Sequence, residues 1–173
     1  MTPVLDMPAP RRVLVVSLRY LGDALLSTPL AHALRRRWPQ CTIDMLVFAG
    51  TEGAFEGNAD VAQVLTVAEN ASATATLRRV ASLWRRYDLA VIAQTGTRPF
   101  VFGWAAGRRR VGLVSPERGK SWWKRALLHR HATFDARGAR VLENQRIAAL
   151  LGCEGAPHVV APTAGWDAQV LAR

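Results

Sequence analysis

The sequence predicts an α/β fold, in which a Rossmann-like, mostly parallel sheet carries helices on both faces. Short apolar segments rich in β-branched residues alternate along the chain with longer segments of helical spacing, as βαβ units require. The length of 173 residues suits one domain, and hydrophobic residues make up 50% of the chain, enough for a substantial core. A mean hydropathy of +0.04 is typical of a soluble globular protein.

The first strand and helix are predicted at the start of this alternation. The segment Val13–Ser17 is almost wholly apolar, as expected for a strand that is buried on both faces. Asp23–Trp38 has helical spacing and ends in Arg35–Arg37, where cations stabilise the negative end of the helix dipole. Because Pro29 removes a helical hydrogen bond, we predict one turn from Asp23 and then a new helix with Thr28 as its cap and Pro29 at its first position.

The remaining elements continue the alternation. Further strands are predicted at Thr42–Phe48, Val64–Val67, Leu89–Ala93 and Arg110–Leu113. Helices are predicted around Thr51–Asn58 and at Thr74–Arg86, Arg98–Ala106 and Ala139–Leu151, the last ended by Gly152.

Positive charge is concentrated in one segment of a chain whose formal net charge is +10. Ala105–Arg140 contains ten Lys or Arg against two acids, Glu117 and Asp135. Such a cluster attracts phosphate groups of nucleic acid, lipid or a small ligand, and the alternative is a solvated, arginine-rich surface. Nucleic acid is the least favoured partner, because the sequence has no helix-turn-helix, zinc or RNP-type motif.

Several common sites are absent from the sequence. It has no dinucleotide fingerprint, no P-loop and no G-x-S-x-G elbow, and its four histidines lack metal-ligand spacing. Cys41 and Cys153 form no metal motif and are expected to be free thiols in a reducing cytoplasm. No apolar run approaches the roughly 20 residues of a membrane-spanning helix, and residues 1–10 do not resemble a secretory signal.

The loop Leu18–Gly22 and the acid that follows it form the candidate site. In an open parallel sheet, ligands bind beyond the carboxyl ends of the strands, which is where this loop is predicted. Asp23 has two interpretations: a helix N-cap, or a general base. A helix N-terminus stabilises a charged carboxylate, so such a base would take a proton only from a hydroxyl that becomes acidic during attack.

Three blocks of the sequence carry a family resemblance. VLVVSLRYLGDALLSTPLAHALRRRWPQCTIDMLV (residues 13–47), AGTEGAFEGNADVAQVLTV (49–67) and YDLAVIAQTGTRPFVFGWAAGRRRVGL (87–113) resemble the family 9 glycosyltransferases, the ADP-heptose:lipopolysaccharide heptosyltransferases. The Gly-Asp and Thr-Pro pairs recur in the family's order. The forms LRYLGD and AGTE are most similar to the branch that adds the third inner-core heptose. At Ala93 the sequence departs from relatives that carry an acid.

The resemblance implies the N-terminal half of a GT-B fold, with the acceptor bound there and the nucleotide-sugar bound by a C-terminal half. It implies inverting transfer with Asp23 as the catalytic base and without a metal or other cofactor. On this basis, residues 1–10 are expected to be a flexible N-terminus and 11–158 the acceptor-binding domain. Residues 159–173 are expected to start the interdomain linker. With the donor domain absent, the chain alone is expected to be inactive.

The expected ligands and location follow from the resemblance and from the predicted loops. The residues expected to bind the acceptor are Arg19, Tyr20, Gly22, Thr51, Gln94, Arg98, Arg118 and Lys120. The residues expected to face a membrane are Trp122, Trp123, Lys124 and Arg125, although one tryptophan could instead pack in the core. The expected partners are a sugar-nucleotide donor, the lipopolysaccharide core and the anionic inner face of the inner membrane, with the protein cytoplasmic and peripheral. The alternative function is a non-catalytic binding module for phosphorylated glycolipid.

Overall fold

A computed structural model describes residues 5–135, 140–153, 155–160 and 162, with Arg140 described by its backbone alone. Six strands form one sheet: β1 Arg12–Val16, β2 Thr42–Phe48, β3 Gln63–Val67, β4 Tyr87–Ile92, β5 Gly107–Val114 and β6 Arg130–Thr133. The helices are α1 Leu21–Leu25, α2 Thr28–Arg37, α3 Ala73–Leu83, α4 Thr97–Ala106, α5 Arg118–Leu127 and α6 Arg140–Leu150, with a 3₁₀ turn at Glu52–Phe55.

The sheet is parallel throughout, and its strand order is β3-β2-β1-β4-β5-β6. The predicted Rossmann-like fold is therefore confirmed. The central strand β1 pairs on both sides, with Val13 opposite Ile43 of β2 and Leu89 of β4. Since the strand order reverses between β1 and β4, a crevice is expected between the loops that follow these two strands.

The two faces of the sheet have separate cores. On one face, Val13 and Val15 pack with residues of α2 and α6 such as Leu34 and Ile147. On the other face, the alternate residues of the strands pack with α3, α4 and α5. Successive side chains of β1 point to opposite faces of the sheet, so alternate residues of this strand belong to the two different cores. The residues on both faces of β1 are buried.

The predicted interruption between α1 and α2 is present. Ser27 is the residue before α2, so Thr28 and Pro29 occupy its first two positions and Thr28 is not the cap as predicted. Pro29 cannot donate to the carbonyl of Leu25, four residues earlier. The Thr28 hydroxyl donates to that carbonyl instead, at 2.9 Å, which satisfies the acceptor that Pro29 leaves open.

Helix α3 and strand β5 differ from their predicted bounds. The helix ends at Leu83, not at Arg86, because Arg85 has a φ of +49° and its N–H donates to the carbonyl of Ala105 at 2.8 Å. β5 begins at Gly107, where an added Cβ would lie 2.5 Å from the Cβ of Ala90. Only glycine fits this close approach of two strands.

The first described residues are packed against the domain. Leu5 is buried and its N–H donates to the carbonyl of Leu150 at 2.8 Å. Leu5 is therefore packed against the domain, residues 1–4 lie outside the described part, and the flexibility of residues 1–10 stays a prediction. Near the other end, Gly152 follows α6 with a φ of +69°, the left-handed geometry that favours glycine after a helix. Of the predicted linker at 159–173, only residues 159, 160 and 162 are described.

A buried carboxylate holds the amino-terminal edge of the sheet together. Asp44 of β2 accepts a hydrogen bond from the Tyr87 hydroxyl at 2.8 Å and another from Arg12 Nη2 at 3.0 Å. Burial raises the pKa of Tyr87, and its bond to Asp44 raises it further. β2, β1 and β4 are thus joined by side chains at the edge opposite the predicted crevice.

Candidate functional site

The candidate site lies where the loops after β1 and β4 meet, at the carboxyl edge of the sheet. Gln94 follows β4, is buried, and its Nε2 donates to the backbone carbonyl of Leu18 at 2.7 Å. This bond joins the two loops across the point where the strand order reverses. Gln94, predicted to bind the acceptor, therefore uses its amide nitrogen to link the loops after β1 and β4.

Asp23 lies in the first turn of α1 and reaches solvent. The residue before this helix is Tyr20, so Asp23 is its third residue and not its N-cap, and the capping interpretation is wrong. The carboxylate is 38% exposed, and its Oδ2 accepts a hydrogen bond from Arg19 Nη1 at 3.3 Å. Next to it, a Cβ added to Gly22 would meet nothing within 4 Å, so the space above the turn is open. The geometry gives an accessible, oriented carboxylate.

The loop after β3 is tied to the same site through Tyr20. The exposed Tyr20 donates from its hydroxyl to Glu69 Oε1 at 2.8 Å. This hydrogen bond, together with the negative charge of Glu69, raises the pKa of Tyr20. Glu69 was not among the predicted site residues, although its position two residues after β3 is a signal that could have found it.

Arg98, in the first turn of α4, holds that loop from the other side. Its Nη2 donates to the carbonyl of Ala68 at 2.7 Å and its Nη1 donates to the carbonyl of Glu69. The guanidinium also lies 5.7 Å from the ring centre of Phe48. Arg98, which was predicted to bind the acceptor, therefore donates two hydrogen bonds to the backbone of the loop after β3.

The other predicted acceptor-binding residues occupy three different surroundings. Thr51 is buried, and its hydroxyl donates to the carbonyl of Phe48 at 2.7 Å, which builds it into the turn after β2. Arg118 and Lys120 are exposed in the first turn of α5, further along the same edge, after β5. Lys120 pairs with Glu117 at 2.7 Å, and this bond raises the pKa of Lys120. Arg19, Tyr20, Gln94 and Arg98 thus lie around the crevice with Asp23, whereas Thr51 supports it from within the turn.

The predicted membrane-facing segment is a helix with an inner and an outer side. Lys124 is only 7% exposed, and its Nζ donates to the carbonyl of Thr95 at 2.6 Å. Burial lowers the pKa of this lysine. Trp123 packs edge-to-face against Phe100, with ring centres 4.9 Å apart. The prediction is therefore wrong for Lys124 and Trp123, because the core takes up both side chains.

Arg125 and Trp122 complete this helix. Arg125 is partly buried and donates to the carbonyl of Ser115 at 2.9 Å, so its guanidinium also points inward. Trp122, in contrast, is 67% exposed. Of the four residues predicted to face a membrane, Trp122 alone has the exposed side chain which that prediction requires.

Within residues 5–135 and the shorter described segments, no three His, Cys, Asp or Glu side chains lie together as potential metal ligands. No protein-family model matches the sequence, and a search of curated proteins also finds no match.

Solved structures do match the fold. The family 9 glycosyl transferase of Veillonella parvula DSM 2008 superposes with a TM-score of 0.71 at 16% identity, over 87% of this chain and 44% of that one. Escherichia coli heptosyltransferase WaaC with ADP-2-deoxy-2-fluoro heptose gives 0.64 at 20% identity, over 90% and 51%. WaaC with ADP gives 0.62 at 20% identity, over 88% and 49%. The chain thus has the fold of about half of these glycosyltransferases and spans about half their length.

Proposed function

We propose that this chain is the acceptor-binding side of an inverting glycosyltransferase that transfers heptose from ADP-heptose to the lipopolysaccharide inner core. The observation that carries the proposal is Asp23, a solvent-accessible carboxylate beside the crevice at the carboxyl edge of the sheet. The fold shared with family 9 structures supports it, as does the sequence resemblance through the Gly22-Asp23 and Thr28-Pro29 pairs.

Asp23 acts as the general base in the proposed reaction. An acceptor hydroxyl hydrogen-bonds to the carboxylate and its oxygen attacks the anomeric carbon of the donor sugar. The bond between that carbon and the diphosphate oxygen breaks, the nucleotide diphosphate leaves, and the hydroxyl proton passes to Asp23. Attack opposite the leaving group inverts the anomeric centre. A positioned base of this kind contributes about 10²–10⁴-fold to the rate.

Cations around the edge hold the anionic groups of the acceptor. Arg19 orients the Asp23 carboxylate, and the exposed Arg118 and Lys120 lie further along the same edge. Phosphate and carboxylate groups on a saccharide suit such donors, because charge-assisted hydrogen bonds each contribute about 1.5–3 kcal/mol. The exposed Tyr20 ring lies beside Asp23 in sequence and offers a flat apolar surface for a sugar ring.

The donor is bound by a second half that these 173 residues do not include. The chain covers 44–51% of the chains in these three glycosyltransferase structures, and the two structures of WaaC contain ADP or an ADP-sugar. Holding both substrates in place contributes about 7–11 kcal/mol to lowering a barrier, and one half-site cannot provide this. We therefore expect the 173 residues to bind acceptor without turnover.

The protein is proposed to work at the cytoplasmic face of the inner membrane, where a lipid-anchored acceptor is accessible. Among the helices that the structure describes, none has the length and apolar composition needed to span a membrane. The proposed contact is peripheral and involves the exposed side of α5, which carries Arg118, Lys120 and Trp122.

Calorimetric titration of the 173-residue chain with a soluble, phosphorylated heptose-bearing core oligosaccharide tests the acceptor assignment. Binding is expected to weaken with added salt and to fall about ten-fold or more in Arg118→Ala/Lys120→Ala, because each variant residue removes a charge-assisted contact. Arg36→Ala/Arg37→Ala, which removes two exposed arginines of α2, is the matched control and should bind as the wild type does. An oligosaccharide affinity that changes neither with salt nor with the double substitution would contradict the assignment. Binding without any role for Asp23 in transfer would instead indicate the glycolipid-binding module.

A further inference from the structure

The helices on one side of the sheet contain no acidic residue. α3, α4 and α5 pack on the same face, and none of their residues is Asp or Glu. Together they carry seven basic residues, which are Arg78, Arg79, Arg98, Arg118, Lys120, Lys124 and Arg125. The turn after α3 adds Arg85 and Arg86. We call the outward surface of these three helices the α3–α5 face.

The basic residues of these helices divide into an inner and an outer set. The inner four donate to backbone carbonyls at the ends of the strands: Arg79 to Thr66 at 2.8 Å, Arg98 to Ala68, Lys124 to Thr95, and Arg125 to Ser115. The outer set is exposed and comprises Arg78, Arg85, Arg86, Arg118 and Lys120. Within the described part of the chain, Lys120 alone of the outer set forms an ion pair. The α3–α5 face is therefore positively charged, and hardly any of this charge is paired with a carboxylate.

Exposed tryptophans lie among these outer cations. Trp84, Trp104 and Trp122 are 51%, 37% and 67% exposed, and they belong to the end of α3, to α4 and to α5. The rings of Trp84 and Trp104 meet edge-to-face with centres 5.5 Å apart. Leu77, also exposed, precedes Trp84 by seven residues and so lies two turns earlier on the same side of α3. Scattered exposed apolar residues are normal, but a group of this extent indicates a contact surface.

Cations and aromatic rings are adjacent on this face. The guanidinium of Arg85 lies 5.9 Å from the ring centre of Trp84. Arg78 adjoins Leu77 within α3, and Arg85 adjoins Trp84 just beyond the end of that helix, so each of these exposed apolar residues has an exposed basic neighbour. Tryptophan rings lie at the headgroup level of a bilayer, and arginines near them meet lipid phosphates.

From these observations we propose that the α3–α5 face docks flat on the surface of an anionic phospholipid bilayer. The uncompensated positive charge is complementary to such a surface. The exposed tryptophans are spread over three helices, and a planar bilayer can contact an area of this width. This surface is wider than the side of α5 alone and includes residues of α3 and α4 that sequence analysis did not identify. α3, α4 and α5 all begin at the carboxyl edge of the sheet, so docking would hold the crevice beside the membrane. That consequence rests on the proposed transferase function, whereas the docking itself does not.

Co-sedimentation of the 173-residue chain with vesicles tests the proposal. Vesicles of phosphatidylcholine with phosphatidylglycerol are expected to bind the chain, with binding that falls as salt is added, and pure phosphatidylcholine vesicles are expected to bind it much less. Arg78→Gln/Arg85→Gln should weaken binding about thirty-fold, since each cation contributes about five-fold. Trp84→Ser/Trp104→Ser should also weaken it, although it leaves the charge unchanged.

The matched control is Arg36→Gln/Arg37→Gln, which removes the same charge from exposed arginines of α2 on the opposite side. It should bind vesicles more tightly than Arg78→Gln/Arg85→Gln does. Equal loss in both charge variants would mean attraction by net charge alone and would overturn the proposal. So would equal binding to neutral vesicles. A shift in sedimentation coefficient that Trp84→Ser/Trp104→Ser abolishes, without vesicle binding, would assign the face to a second copy of the chain.

One further variant separates this proposal from the proposed function. Asp23→Asn should bind anionic vesicles as the wild type does, because Asp23 belongs to α1 on the other side of the sheet. If the wild-type chain binds the oligosaccharide but not the vesicles, the docking proposal is refuted and the acceptor site is supported. If it binds the vesicles but not the oligosaccharide, the acceptor site is refuted and the docking proposal is supported.

Discussion

Replacing Gly103 by alanine tests how tightly α4 packs on the strand that leads into the site. A Cβ at Gly103 would lie 2.4 Å from Cγ1 and 2.6 Å from Cδ1 of Ile92. Carbon atoms in contact are ordinarily about 3.5–4.0 Å apart. Ile92 is fully buried at the end of β4, so neither side chain can move away without shifting the helix or the strand.

A second glycine provides the reference for this substitution. Gly119 in α5 has nothing within 4 Å of an added Cβ. Gly119→Ala should therefore stabilise the fold by about 0.4–1 kcal/mol, through the lower entropy of the unfolded chain. Gly103→Ala gains a similar amount but also overpacks the core, at a cost of about 1–3 kcal/mol. The difference between the two free energies of unfolding should thus be about 1–3 kcal/mol, with Gly103→Ala the less stable variant.

Urea unfolding and thermal melts measure that difference directly. For a domain of this size, each kcal/mol changes Tm by about 2–4 °C. Because Ile92 immediately precedes the loop that carries Gln94, Gly103→Ala should also weaken oligosaccharide binding. If the two variants are equally stable, the close approach of α4 to β4 is not as described, and the reasoning from packing to site geometry fails.

Further substitutions test the hydrogen bonds around the sheet edges. Burial and the bond to Asp44 raise the pKa of Tyr87 above 10.0, so the stability that Tyr87 contributes is fully present below about pH 10 and is lost as pH rises towards the folded pKa. The free energy of unfolding, measured in urea from pH 8 to 11, should therefore fall less with pH in Tyr87→Phe than in the wild type. Gln94→Leu leaves the carbonyl of Leu18 without its donor and should lower the free energy of unfolding in urea by about 1–3 kcal/mol. It should also increase hydrogen exchange in the loop after β1, and unchanged exchange would contradict a linking role. Arg98→Ala should increase hydrogen exchange at Glu69, and Arg98→Lys should restore only part of the protection because lysine lacks the forked donors. Protection in Arg98→Ala equal to that in the wild type would refute the tether.

The sheet was predictable because its central strands are buried on both faces. β1 and β2 are almost continuous apolar runs, and β2 has the predicted bounds Thr42–Phe48. α5 and β6 were not predicted. The sequence of α5 is dominated by cations, one of which, Lys124, is buried against Thr95, and β6 is the polar segment RHAT. Periodicity of apolar residues cannot reveal elements whose buried positions are occupied by polar side chains.

The candidate site was predictable in position but not in its bonding. The rule that ligands bind beyond the carboxyl ends of strands correctly places Asp23 and Arg98 at one edge. It does not show that Arg98 donates to backbone carbonyls after β3, or that Tyr20 is paired with Glu69. These contacts join residues 29 to 49 positions apart in sequence, and no local pattern encodes such distances.

The rate of sugar transfer by Asp23→Asn tests the proposed function most directly. The measurement needs a polypeptide that joins these 173 residues to the nucleotide-sugar-binding half of a family 9 glycosyltransferase, with ADP-heptose and a truncated core oligosaccharide as substrates. Asp23→Asn keeps the size of the side chain and removes its basicity, so kcat should fall about 10²–10⁴-fold while acceptor affinity and thermal stability stay unchanged. A kcat equal to that of the unsubstituted protein would show that Asp23 is not the base and would contradict the account.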